Sequence, residues 1–240
     1  FEGGAMGLTV RDGSQCFPLT SLSRESGRRT FRRLLTHLGW DPAGAARLTT
    51  IAVDWQDKDN QVLPSGAEDY TYLGREPAYR TPGRPFASVT ELRALETMTE
   101  EKFEALRPFV CTHSGKASDL TGAININGLT AAHVPLLAAV LGDNTADIAL
   151  RLITERPGDG YTDEAQLRLS PALETFDLKE GLELLSYAPE LIWIEADVHY
   201  LQARRRAAFE FSIADGRVVR LYRGFGEEAL RPVLDVPIDE

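Results

Sequence analysis

The stretch Asp54-Trp55-Gln56-Asp57-Lys58-Asp59-Asn60 is followed closely by Gly66-Ala67-Glu68-Asp69-Tyr70, and together they bring five carboxylates within sixteen residues. We call residues 54–69 the acidic stretch. A helical repeat of apolar residues runs into it, and a loop rich in glycine and proline leaves it. Two interpretations are open: a solvated acidic loop, or a set of oxygen ligands for a hard cation.

The spacing of oxygen-bearing side chains in the acidic stretch predicts a calcium site. Counted from Asp57, the first, third, fifth, ninth and twelfth residues carry oxygen as in an EF-hand loop, and the twelfth is a glutamate. Val62 stands where that loop needs glycine, and Pro64 lies two residues further on, so the oxygens would have to converge along a different path. The predicted ligands are Asp54, Asp57, Asp59, Gln61, Ser65, Glu68 and Asp69, and a second, smaller set is Asp119, Asn125 and Asn127.

The whole chain has 240 residues and a formal net charge of -10. An acidic balance disfavours nucleic acid and anionic membranes as partners, because both need a basic surface. No apolar run reaches the roughly 20 residues that span a bilayer. The chain begins at Phe1 without a signal peptide, so we expect a mature or trimmed fragment.

Apolar residues repeat at helical spacing in the first two thirds of the chain. Phe31, Leu34, Leu35 and Leu38 follow the i, i+3, i+4, i+7 pattern, which predicts one buried helix face. Ser88 and Glu91 have the spacing of a capping box, which opens a helix. The predicted helices cover about 31–38, 48–55, 88–95, 99–107, 130–141 and 143–155, with an ordered loop over 60–87.

Residues near both chain ends alternate between apolar and polar types, with the period of two that is typical of strands. A turn is predicted at Arg204-Arg205-Arg206, and Asp215-Gly216 is a tight-hairpin signal. The fold class predicted is therefore α+β, with a sheet built from both ends and helices between them. The predicted strands cover about 5–12, 192–200, 209–213 and 218–223.

No pattern in the sequence predicts an active site, so we expect a protein that is not an enzyme. Glu195, Asp197 and His199 share one face of a strand, which is also typical of a sheet face that meets water. The other histidines are scattered, and neither a GxSxG elbow, an SxxK pair nor a phosphate-binding loop occurs.

A nucleic-acid-binding module is the competing function class. Residues 88–110 and 124–169 each run as a cap, a short helix, a turn and a second helix, like two helix-hairpin-helix halves. Such modules bind phosphates through a glycine-rich turn near lysine or arginine. Here the turns at 95–99 and 141–144 are acidic, and the first lacks glycine, so repulsion from the phosphates favours a packing role.

The order of several motifs resembles the K-type minor pseudopilin family of bacterial type II secretion. The resemblance covers most of the chain and is weakest in the last thirty residues. The motifs are Val53-Asp54-Trp55-Gln56-Asp57-Lys58-Asp59, Gly66-Ala67-Glu68-Asp69, Tyr79-Arg80, Arg84-Pro85-Phe86-Ala87-Ser88-Val89-Thr90-Glu91-Leu92-Arg93 and Ile124-Asn125-Ile126-Asn127.

The resemblance implies a pilin-like antiparallel sheet domain, formed by residues 1–22 and 184–240, that is interrupted by a large α-helical insertion over 23–183. It implies a place at the pseudopilus tip with the I- and J-type minor pseudopilins, above the major pseudopilin fibre, where secreted proteins are further candidate partners. It also implies a periplasmic location, an N-terminal inner-membrane helix, and structural calcium in the helical domain. We expect Trp193, Leu201 and Phe225 to be exposed for assembly.

The two cysteines, Cys16 and Cys111, have no CxxC or Cys/His pattern, so a zinc site is not expected. Two buried thiols and one long-range disulfide are both compatible with the sequence. The periplasmic location that the resemblance implies favours the disulfide.

Overall fold

Four long strands form one antiparallel sheet in the order β1-β6-β7-β8. The computed structural model describes residues 3–112, 124–176, 181–214 and 217–234. Since β1 comes from the start of the chain and the other three from its end, the predicted sheet from both chain ends is confirmed. The strands are β1 (Gly4–Asp12), β2 (Phe17–Pro18), β3 (Val110–Cys111), β4 (Ile124–Asn125), β5 (Leu185–Ser186), β6 (Leu191–Tyr200), β7 (Ala203–Ala214) and β8 (Arg217–Phe225).

Helices occupy the middle of the chain, as the apolar repeats predict. None of those described is both long and apolar enough to cross a bilayer. The α-helices are α1 (Glu25–His37), α2 (Pro42–Asp54), α3 (Asp69–Leu73), α4 (Glu100–Leu106), α5 (Val134–Leu141), α6 (Ala146–Thr154) and α7 (Glu164–Arg168). The 3-10 helices are Leu19–Ser23, Val89–Ala94, Arg107–Phe109, Ile126–Gly128, Ala131–His133, Pro171–Leu173, Leu182–Leu184 and Glu227–Ala229.

The core of the helical part lies between α1, α2, α5 and α6. Phe31, Leu34 and Leu35 form the fully buried face of α1 that the sequence predicts, and they pack against α5 and α2. Helix α2 begins where the Asp41 carboxylate accepts a 2.8 Å hydrogen bond from the Gly44 amide, with Pro42 in the first turn. Its far end carries Asp54 into the interior.

The sheet joins the helical part where β1 ends and β6 begins. The Gly13 amide donates to the Leu191 carbonyl at 2.9 Å, and the Asn125 side chain donates to the Asp12 carboxylate at 2.7 Å. A disulfide lies beside this joint and links Cys16, the residue before β2, to Cys111 in β3, so the structure contains the expected bridge.

Local details differ from the sequence predictions. The loop over 60–87 contains a short helix, α3, and the helix that begins after Ser88 is of the 3-10 type, although its capping box is confirmed. Arg204-Arg205-Arg206 lie within β7 and not in a turn. The chain turns instead at Leu201-Gln202, because Tyr200 already pairs with Ala203 and Leu201 takes a positive φ of 54°. The Asp215-Gly216 hairpin signal lies outside the described residues.

The predicted exposure of apolar sheet positions is correct at two of three places. Leu201 is 78% exposed and Phe225 is 67% exposed. Trp193 is only 4% exposed, because the guanidinium of Arg231 lies over its ring and Tyr222 stacks beside it.

Removing the disulfide should lower the free energy of unfolding. Cys16 and Cys111 are 95 residues apart, and a bridge closing a loop of this length contributes about 4.7 kcal/mol in the chain-entropy account. In a urea titration, we expect the double variant Cys16→Ser with Cys111→Ser to lose much of this contribution to the free energy of unfolding. The reduced unsubstituted chain is the control, since it separates the bridge from the side-chain change. Equal free energies for the oxidised and reduced chains would contradict the prediction.

Candidate metal centre

The acidic stretch folds back on itself at the end of α2. Asp54 is the last residue of that helix and is fully buried, and Glu68, only 2% exposed, returns to its side. The Leu63 amide donates to Asp54 Oδ2 at 3.3 Å. Gly66 permits this close approach, because a Cβ atom there would lie 2.0 Å from Asp54 Oδ2.

Three carboxylates meet in this turn. Asp54, Asp57 and Glu68 each offer one oxygen, and these oxygens lie within 4.8 Å of one another. Within the described parts of the chain, this is the only group of three or more His, Cys, Asp or Glu side chains close enough to share a cation. We call these three residues the carboxylate triad.

Each member of the carboxylate triad keeps one buried oxygen without a hydrogen-bond donor. Asp54 Oδ1, Asp57 Oδ1 and Glu68 Oε1 accept no hydrogen bond from any described residue. Buried polar atoms are nearly always satisfied, so three such atoms in one place point to a missing partner. Carboxylate oxygens are the ligands that calcium prefers, and the triad therefore fits a calcium ion.

Burial and mutual repulsion weaken the acids of the triad. The pKa of Glu68 is raised to about 7, first by burial and then by the nearby charges of Asp57 and Asp54. Burial likewise raises the pKa of Asp54, with Asp57 and Asp59 adding repulsion. Burial and Asp59 also raise the pKa of Asp57, against a smaller opposing effect of Arg28. A cation would reverse these shifts, because it favours the charged forms.

The other predicted ligands do not join the triad. Asp69 accepts hydrogen bonds from Arg80 at 2.6 Å and from the Thr81 amide at 2.9 Å. Burial raises the pKa of Asp69, but these hydrogen bonds have the larger combined effect, so the pKa is lowered. Asp59, Gln61 and Ser65 are exposed, and Asp59 accepts a bond from the Gln61 amide at 2.9 Å.

Asn125 and Asn127, the two described members of the second predicted set, have structural roles. Asp119 lies outside the described residues. The Asn125 side chain donates to Asp12, and the Asn127 side chain donates to the carbonyls of Tyr161 and Tyr187, both at 2.8 Å. These amides hold segments of the chain together, so the described members of this set are already engaged.

Thr81 is a neighbour of the triad that sequence reasoning missed. Its hydroxyl donates to Glu68 Oε2 at 3.3 Å and lies 3.0 Å from Asp69 Oδ1. The sequence signal that could have found it is the motif Tyr79-Arg80, which directly precedes Thr81.

Aromatic side chains pack around Trp55, the residue that directly follows Asp54 of the carboxylate triad. Trp55 makes edge-to-face contacts with Tyr72 and Tyr79 and stacks on Phe86. Its indole nitrogen donates to the Glu91 carboxylate at 3.3 Å. The same carboxylate accepts a bond from the Ser88 amide in the capping box. The packed Trp55 therefore fixes the end of α2, and with it the position of Asp54.

The acidic residues of β6 are paired and form a polar sheet face. Glu195 makes an ion pair with Arg11, and Asp197 makes ion pairs with Arg204 and Arg206. Hydrogen bonds from the two arginines hold the pKa of Asp197 far below its usual range, and the bond from Arg204 has the largest effect. Ion pairs account for both carboxylates, but this face meets water chiefly toward His199: the Glu195 side chain is only 18% exposed and also accepts a bond from the Arg231 amide.

Comparison with known proteins identifies relatives. The family described as "Type II secretion system (T2SS), protein K" matches residues 15–114. Type II secretion system protein K of Klebsiella pneumoniae is 33% identical over 184 residues, covering 72% of this chain and 55% of that protein. The Pectobacterium carotovorum protein of the same name is 27% identical over 209 residues, covering 82% of this chain and 62% of the relative. The chain thus spans little more than half the length of these relatives.

The fold is also similar to a solved structure. One chain of the GspK-GspI-GspJ complex from the enterotoxigenic Escherichia coli type 2 secretion system superposes with a TM-score of 0.82 at 23% identity, covering 95% of this chain and 81% of that chain. These similarities give no support to the nucleic-acid-binding alternative, which the acidic turns already disfavour.

The triad should make metal-free protein less stable as pH rises. The folded pKa of Glu68, about 7, lies above its unfolded value near 4.5, so the folded state binds a proton more tightly and loses stability between these two values. We expect Glu68→Gln, in the presence of chelator, to remove part of this decline and to melt above the unsubstituted chain at pH 8. Each pKa unit corresponds to about 1.4 kcal/mol.

Glu101→Gln is the matched control, because Glu101 is exposed on α4. Melting curves between pH 4 and pH 8 would measure the effect. A Glu68→Gln variant that melts below the unsubstituted chain at pH 8 in chelator would show that Glu68 is not destabilised by its neighbours.

Proposed function

Since this chain belongs to the family of type II secretion system protein K, we propose that it is a minor pseudopilin that acts in protein export across the outer membrane. The observation that carries this proposal is the family match over residues 15–114 within a fold similar to the E. coli secretion protein over 95% of the chain. The role we propose is structural, and we assign no reaction to the protein.

In this proposal, residues 23–183 are an α-helical insertion in a pilin-like sheet domain made of residues 1–22 and 184–240. The pairing of β1 with β6 supports it, because it brings the two chain ends into one sheet. The bulk of the helical part suits a place at the pseudopilus tip, where no further subunit has to pass it.

An exposed apolar sheet face supports an anchored, periplasmic location. Met6, Leu8 and Val10 on β1 are 59%, 58% and 61% exposed, and the cross-strand pairs place them on one face with Ile194 and Phe209. The resemblance to this family implies an N-terminal helix that packs on the sheet and continues into the inner membrane. We propose that this face packs against such a helix.

We propose the I- and J-type minor pseudopilins as partners, because the similar E. coli chain comes from a complex with GspI and GspJ. We expect the chain to form a ternary complex with both subunits from the same genome and no fibre by itself. Light scattering behind a sizing column would measure the mass of the mixture. Elution of the mixture as separate monomers at micromolar concentration would contradict the proposal.

A variant control makes the assembly test specific. Asp159→Asn changes one exposed acidic residue in a turn and should leave assembly unchanged. Loss of the complex with this variant would indicate that the association is a general effect of charge.

We also propose a structural calcium ion held by Asp54, Asp57 and Glu68. Calcium would supply the positive charge that the buried oxygens lack, and it accepts irregular oxygen shells better than magnesium. The ion would fasten the end of α2 to the returning loop at Glu68.

Calcium should raise the melting midpoint of the chain relative to chelator. An ion that binds only the folded state adds about 2.7 kcal/mol at a concentration one hundred times its dissociation constant. We expect Asp57→Asn to remove most of this gain and Asp159→Asn to keep it. Equal midpoints with calcium and with chelator, and no calcium in elemental analysis of the purified protein, would overturn the proposal.

A further inference from the structure

After β8 the chain returns across the molecule in a short segment, residues 227–231, which we call the C-terminal strap. Gly226 begins it with a φ of 85°. On the helical side, Glu228 accepts a hydrogen bond from Arg93 at 2.8 Å. The Leu230 carbonyl accepts a bond from Arg107 at 2.9 Å. Both arginines belong to 3-10 helices of the helical part.

The other end of the C-terminal strap is fixed to the sheet by Arg231. Its guanidinium donates to Glu210 at 2.6 Å and lies 3.9 Å from the centre of the Trp193 ring. Glu210 is fully buried on β7. The Arg231 backbone amide also donates to Glu195 on β6 at 3.1 Å. A buried charge pair of this kind resists separation, because removing one partner leaves an uncompensated charge.

Apart from the strap, the sheet meets the helical part chiefly where the chain crosses between them. The long strands make their main contacts with one another and, for β7 and β8, with residues 227–229. At this crossing the Gly13–Leu191 bond closes one end of the β1–β6 pair, and the bond of Asn125 to Asp12 joins that end to the helical part. A joint at one end of a sheet permits rotation unless a second attachment opposes it.

We propose that the C-terminal strap is a latch that sets the orientation of the helical part on the sheet. The pair of Arg231 with Glu210 is its fixed end, and the contacts of Glu228 and Leu230 with Arg93 and Arg107 are its releasable end. This function goes beyond membership of a secretion complex, because it concerns the internal geometry of the subunit.

Two neighbouring glutamates provide a matched test. Glu228 reaches across to Arg93 in the helical part, whereas Glu227 pairs with Arg206, which lies in the sheet itself. The double variant E228Q/R107M removes the charge that pairs with Arg93 and the guanidinium that donates to the Leu230 carbonyl, and it leaves the buried pair intact. The variant E227Q removes a contact of the same type that does not cross between the parts.

Orientation is measured by pulsed electron spin resonance between labels on L150C in α6 and R205C in β7, in the full chain with its native disulfide. We expect E228Q/R107M to shift or broaden the distance distribution and E227Q to leave it unchanged. R231M should give the same change from the sheet side. If R231M does not fold, E228Q/R107M decides alone.

Amide exchange of residues 227–231 shows whether the strap has been released. Faster exchange there in E228Q/R107M with an unchanged label distance would overturn the proposal, since the strap would then fasten only the chain terminus. An equal change of distance in E227Q would overturn it as well.

Discussion

Burial of like charges is the constraint on which the helical part depends. Asp54 is buried at the end of α2, because the apolar face of this helix continues into Trp55, which packs against Tyr72 and Phe86. The returning loop then brings Glu68 to the same place. Packing of the aromatic residues and repulsion between the carboxylates therefore act on the same few residues, and the loop can keep this path only if the repulsion is offset.

The sheet and the helical part are connected by short-range contacts of different kinds. The disulfide between Cys16 and Cys111 is covalent, the bond of Asn125 to Asp12 is local, and Arg93 reaches Glu228 through a more exposed ionic contact. Since the sheet takes strands from both chain ends, every residue between β1 and β6 has to leave and return through the same narrow joint. Contacts at this joint consequently influence the whole molecule.

The sequence predicts what repeats regularly and not what depends on distant partners. The apolar face of α1 and the alternation in β6 follow from helix and strand periodicity, so both are confirmed. Trp193 follows the alternation too, but its burial depends on Arg231, which lies 38 positions later and has no periodic signal. Among the predicted metal ligands, Asp54, Asp57 and Glu68 converge, whereas Asp69 does not, because Arg80 and Thr81 bind it. Spacing alone cannot distinguish these cases.

Two buried glutamates in this chain, Glu210 and Glu68, differ in the counter-charge that the described residues supply. Glu210 is fully buried, and the chain itself supplies a positive charge in Arg231. Glu68 is buried almost as completely, yet among the described residues no ion pair reaches it or the other members of the carboxylate triad, and its neighbours are acidic. A buried carboxylate needs either a proton or a counter-charge. The pKa of Glu68 is raised to about 7, and the cation that we propose would let all three carboxylates stay ionised together at neutral pH.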